Sequence, residues 1–206
     1  MGQITAFDLN NFIEKNGIKI YFETGTGECV SLEYALRYSF DKLYSVDIDK
    51  DLILSAKNKF SNNDRVELIC DLSKNALLSV VPNLDKDKPV LFFLDAHFPG
   101  ADFHKVSYEQ SIREHKKDAF PLEDELRIIS SNRDISKDVF VIDDFILYEE
   151  GEYESFKAGN LWQYKWLQDE LNIQTDSSFI YELFKDSHDC IKDVRHQGYL
   201  IITPKN

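Results

Sequence analysis

Apolar residues along the chain gather into short blocks, separated by polar stretches in which hydrophobic positions recur at a helical spacing. Lys19 to Glu23 (KIYFE), Lys42 to Asp47 (KLYSVD), Val66 to Asp71 (VELICD), Val90 to Asp95 (VLFFLD) and Val139 to Asp143 (VFVID) are rich in β-branched and aromatic side chains and predict strands. Several are apolar without alternation, the pattern of strands covered by helices on both faces of a parallel sheet. Helices are predicted over Ser31 to Tyr38, Lys50 to Phe60, Ser73 to Val80 and Pro121 to Ser130, with Pro121 suited to a first helical position. Further on, the pattern predicts a helix around Leu161 to Leu171 and strands at Phe179 to Phe184 and Gly198 to Thr203. The last two lack a crossover helix between them and are expected as an antiparallel pair at the sheet edge. The order βαβα implies an α/β sandwich, and no linker divides residues 1–206, so one domain is expected. Phe92, Phe93, Phe98, Trp162 and Trp166 read as core, the two tryptophans sharing one helix face at i, i+4.

An acid closes each of the first four blocks, at Glu23, Asp47, Asp71 and Asp95, and each follows the last by 24 residues. That interval accommodates a strand, a crossover helix and two short loops. The four carboxylates are therefore expected along the carboxyl edge of one sheet, where open α/β sheets bind ligands. Residues 98–120 are polar and much longer than an ordinary strand-to-helix connection, which marks them as a lid or substrate loop.

Composition narrows the function. The chain has 206 residues, 43% of them apolar, enough for one substantial core. Its formal charge of −13 argues against a polyphosphate partner, so nucleic acid is not expected. The N-terminus lacks a basic, then apolar, secretory signal, and no apolar run is long enough to span a bilayer, so a cytoplasmic protein without membrane association is expected. Cys29, Cys70 and Cys190 show no metal-binding or disulfide spacing and read as reduced, mostly buried thiols.

Residues 21–31 read YFETGTGECVS, a strand, a glycine turn and a helix start. Glycines there let the backbone approach a ligand closely. A dinucleotide site would need glycine or alanine where Val30 stands, and Glu23 would repel a phosphate. A carboxylate before the turn suits a ligand carrying an ammonium, and Asp47 can accept both hydroxyls of a ribose.

These residues resemble those of class I S-adenosylmethionine-dependent methyltransferases. The resemblance implies a Rossmann-like, seven-stranded sheet of order 3-2-1-4-5-7-6 with the last strand antiparallel. It also implies that Glu23, Thr24, Gly25, Thr26 and Gly27 cradle the methionine part of the cofactor, that Asp47 holds the ribose, that Asp71 and Leu72 contact the adenine, and that Asp95 borders the donor. The stretches FFLDAHF (Phe92 to Phe98), PLEDEL (Pro121 to Leu126) and VIDDF (Val141 to Phe145) are similar to bacterial small-molecule and sugar O-methyltransferases of the macrocin O-methyltransferase group. In that group the positions of Asp95, Asp143 and Asp144 hold magnesium, and with a histidine nearby manganese is an alternative.

His97 lies two residues after Asp95, so on extended backbone both project toward the same crevice, with His97 a general base or cation ligand. His104 and His115 are weaker candidates in the long loop. The expected function is O-methylation of a small hydroxylated acceptor such as a saccharide, with a divalent cation assisting and homo-oligomerisation left open. The alternatives are metal-independent transfer to nitrogen or a phosphate-type oxygen, and a nucleotide- or sugar-binding module without turnover.

Overall fold

The computed structural model describes residues 3–154, 169–173 and 176–205, in which seven strands form one sheet. The strands are β1 (Ile20–Thr24), β2 (Lys42–Asp47), β3 (Val66–Cys70), β4 (Val90–Leu94), β5 (Val139–Ile142), β6 (His188–Asp193) and β7 (Tyr199–Pro204). Their order is β3-β2-β1-β4-β5-β7-β6, with β1 to β5 parallel and β7 antiparallel to both of its neighbours. This is the sheet the resemblance implied. The first five strands fall within one residue at each end of the blocks read from the sequence.

The apolar blocks work because the strands β1, β4 and β5 are buried on both faces and alternate side chains between two cores. On one face Phe22, Phe92 and Phe140 run across the sheet, with ring centroids 5.8 Å and 5.1 Å apart. Onto them pack α4 (Ser73–Val80), α6 (Leu122–Asn132) and α7 (Ser178–Phe184). On the other face Tyr21, Leu43, Leu91, Val141 and Tyr199 meet α1 (Asn10–Asn16), α2 (Val30–Ala35) and α3 (Lys50–Lys59).

Three expectations are corrected: the strand at Phe179 to Phe184, the identity of the edge strand beside β7, and the place of Pro121. Phe179 to Phe184 is not a strand but lies in α7, because Ile180 and Phe184 recur at i, i+4 and are the buried pair. The edge strand is the polar segment His188–Asp193, which pairs only with β7. The long polar loop carries its own helix, α5 (Tyr108–His115), and a 3-10 turn (Lys116–Ala119), and Ile112 anchors it in the core. Pro121 stands at the N-cap of α6 rather than inside it. The expected Leu161 to Leu171 helix lies largely outside the described residues, as do Trp162 and Trp166. Among the described residues, no helix is long and apolar enough to cross a membrane. All three cysteines are free; Cys29 is buried, but Cys70, at the end of the outer strand β3, is exposed.

Candidate active site

The carboxyl ends of β1, β2 and β4 open onto a cavity of about 560 Å3, within the size range of small-molecule sites. Its floor is the turn after β1. Gly25 adopts φ +87°, and a Cβ there would stand 2.7 Å from the carbonyl oxygen of Asp95, so only glycine fits. The N–H of Gly25 donates to Val46 O at 2.8 Å, and that of Thr26 donates to the same oxygen at 3.1 Å. The turn is thereby fastened to β2.

Beneath the turn lies a buried hydrogen-bond chain. Tyr21 donates from its hydroxyl to Glu23 Oε2 at 2.7 Å, and Ser45 donates to Glu23 Oε1 at 2.6 Å. Ser45 has one hydroxyl hydrogen, so the 2.6 Å contact with Thr26 Oγ1 has Thr26 as donor. Burial pushes the Glu23 carboxyl up to about 7, against the lowering effect of its two hydroxyl donors. Glu23 and Thr24 are fully buried and do not line the cavity, whereas Gly25, Thr26, Gly27, Asp47, Asp71, Leu72 and Asp95 do. Two of the residues chosen for cofactor contact thus stand behind the wall.

Asp47 ends β2 with both oxygens engaged. Oδ2 accepts from Gly27 N at 3.0 Å and Oδ1 from Asp49 N at 2.9 Å. Burial raises its pKa, and the two N–H donors partly restore its acidity. Asp71 accepts from Leu72 N at 2.7 Å, which fixes the turn into α4. The long insert closes the rim. Phe103 lies against Gly27, where an added Cβ would stand 3.2 Å from its ring, and Lys105 pairs with Asp49 at the start of α3. At the insert's far end Asp118 pairs with Lys74 of α4. His104 lines the cavity and is exposed, while His115 ends α5 away from it.

At the other end of the cavity Asp95 and His97 share one wall, as their spacing predicts. The His97 imidazole lies with Nε2 2.7 Å from Asp144 Oδ2 and 3.9 Å from Asp102 Oδ2, and with Nδ1 3.5 Å from Asp95 Oδ1. Burial opposes charge on this ring, but Asp144, Asp95 and Asp102 outweigh it and raise its pKa well above the usual value. Asp95 and Asp143 are also pushed well up, by burial first and then by neighbouring carboxylates. Asp144 takes a left-handed φ of +47°, and its N–H donates to Asp143 Oδ1 at 2.7 Å. With its amide nitrogen turned toward them, Gln197 donates to both oxygens of Asp144.

This arrangement does not suit the implied cation. His97 stands among the acids, Asp144 is committed to His97 and Gln197, and neither Asp143 nor Asp144 lines the cavity. Among the described residues no group of three or more histidine, cysteine or acidic side chains is set to hold a metal ion. The sequence reading also missed Asp102, Gln197 and Glu125. Glu125 left a signal, since it falls on the apolar face that Leu122, Leu126 and Ile129 define on α6.

No protein-family model matches the sequence, and no curated protein matches it. Solved structures do match. An S-adenosylhomocysteine-bound Podospora anserina methyltransferase, PaMTH1, aligns with a TM-score of 0.53 and 16% identity over 94% of this chain and 75% of its own. A caffeoyl-CoA O-methyltransferase candidate from Staphylococcus aureus aligns at 0.55 and 12% identity over 96% and 81%. The fold is that of class I methyltransferases. Spermidine synthase from Thermotoga maritima shares it, at 0.50 and 12% identity over 92% of this chain and 53% of that one. The methyltransferase fold therefore leaves the chemistry to be argued from the site.

Proposed function

We propose that the protein is an S-adenosylmethionine-dependent methyltransferase acting on a hydroxyl of a small, uncharged acceptor such as a saccharide. The observation that carries this reading is the continuity of one cavity from Asp71, past Asp47 and Gly25, to Asp95 and His97. Acids at successive strand ends suit an adenosine with a free ribose and a cationic methyl carrier, and they disfavour phosphates. The structures of the fold that carry S-adenosylhomocysteine support the same donor.

Bound S-adenosylmethionine supplies an activated methyl on a positively charged sulfur. Methyl transfer is an in-line displacement, so the chain's task is to hold the acceptor oxygen about 3 Å from that methyl and to take its proton. Asp95 takes the proton in this reading: its raised pKa makes it a better base than an ordinary carboxylate, and it borders the cavity. His97, held cationic by Asp144, stabilises the Asp95 carboxylate and fixes its direction. Neither residue needs a divalent cation for this role.

Titration calorimetry with S-adenosylhomocysteine tests the donor half, and transfer of labelled methyl to a panel of sugars and other hydroxylated acceptors, with and without EDTA, tests the rest. Absence of S-adenosylhomocysteine binding would refute the donor. Binding with no transfer to any acceptor would favour a binding module, and loss of transfer in EDTA would restore the cation.

A further inference from the structure

Glu125 occupies the buried stripe of α6 between Leu122 and Ile129 and is 1% exposed. A carboxyl in such a place is costly unless its surroundings use it. Oε1 has no hydrogen-bond partner. Glu125 lines a second, much smaller chamber of about 10 Å3, whose walls also include His97, Asp143 and Tyr148. Asp143 is 3% exposed and has an unpartnered oxygen of its own, Oδ2. A polar chamber of that volume holds about one water molecule.

The same carboxyl also touches the cofactor side. The hydroxyls of Ser73 and Thr24 stand near enough to it to lower its pKa. Ser73 opens α4 directly after Asp71 and Leu72. Thr24 precedes the glycine turn, and its Oγ1 accepts from Asp95 N at 3.2 Å. One buried group is thus in reach of the adenine turn, the glycine turn and the acids around His97.

The geometry points to Glu125 as a positioning residue that locks the donor pocket to the reaction centre, directly through Thr24 and Ser73 and through one water bridging its Oε1 to Asp143 Oδ2. This inference rests on the donor reading above. Burial pushes the Glu125 carboxyl up to about 7, against the effect of the two hydroxyls, so near neutrality it can donate to such a water as well as accept.

The test compares binding of S-adenosylhomocysteine to wild type, Glu125→Ala, Glu125→Gln and the core control Ile129→Ala. Glu125→Ala should weaken binding about tenfold or more, and Glu125→Gln, which keeps an acceptor and a donor, should stay within about threefold of wild type. Ile129→Ala should lower the melting temperature comparably and leave affinity within about twofold. Combining Thr24→Val with Glu125→Ala should add little to the larger single effect, since both cut one link. Equal affinities for Glu125→Ala and Ile129→Ala would overturn the inference, as would a high-resolution crystal structure with the chamber dry. If Glu125→Ala does not fold, the Gln variant and that crystallographic water still decide. Failure of wild type to bind would refute the donor reading, while the water would still report on Glu125.

Discussion

Nε2 of His97 lies 2.7 Å from Oδ2 of Asp144, so the ring that the sequence offered as a base is held as the cationic half of an ion pair. A histidine whose pKa is raised by folding contributes stability in full below its unfolded value of about 6.5 and loses it as pH rises through the folded value. Asp144→Asn should therefore lower the melting temperature most in mildly acidic buffer and progressively less toward alkaline pH. Calorimetric scans across that range check this, and a constant difference would show that the pair is not charged.

Glu23 titrates the same way for a different reason. Its pKa rises from 4.5 to about 7 because the fold shields it from water. The shift favours the folded state fully below the unfolded value, and the benefit disappears as pH climbs past the folded one. Glu23→Gln mimics the protonated form, so its stability relative to wild type should rise between about pH 5 and about pH 8, by up to roughly 3 kcal/mol. Urea unfolding at the two pH values measures the swing, and no swing would mean that water reaches the carboxyl.

Asp47 clasps the N–H groups of Gly27 and Asp49 while bordering the cavity. Replacing it with alanine loosens the turn and removes the proposed ribose acceptor, so S-adenosylhomocysteine affinity should fall by about 1–3 kcal/mol. An unchanged calorimetric affinity would remove Asp47 from the donor site.

Lys105 spans the rim to Asp49, with its side chain 44% exposed. An ion pair this wet is weak, which suits a clasp that must open. Lys105→Ala should release S-adenosylhomocysteine a few-fold faster in stopped-flow experiments, roughly the effect of losing that pair. Limited proteolysis should cut residues 98–120 first, more slowly with ligand bound; identical rates with and without ligand would discount a moving insert.

The strands β1 to β5 were legible because each is a short block closed by an acid, so pattern and chemistry marked the same boundary. The sequence was less informative where a segment's role depended on distant neighbours. Phe179 to Phe184 has the composition of a strand, yet the sheet position beside β7 goes to the polar His188–Asp193, which an edge tolerates. The cavity-lining acids Asp47, Asp71 and Asp95 follow from their positions at strand ends. That Glu23 faces inward does not, because it depends on Tyr21 and Ser45 both turning their hydroxyls toward it. Likewise, His97 and Asp144 are 47 positions apart, and only the folded turn after β5 makes the acid available to the ring.

Cys70, the exposed thiol at the end of β3, immediately precedes an acid of the cavity wall, whereas burial raises the pKa of Cys29 to about 11 and also raises that of Cys190. A maleimide dye should consequently attach there first, one residue from the wall of the proposed donor cavity and without an engineered cysteine.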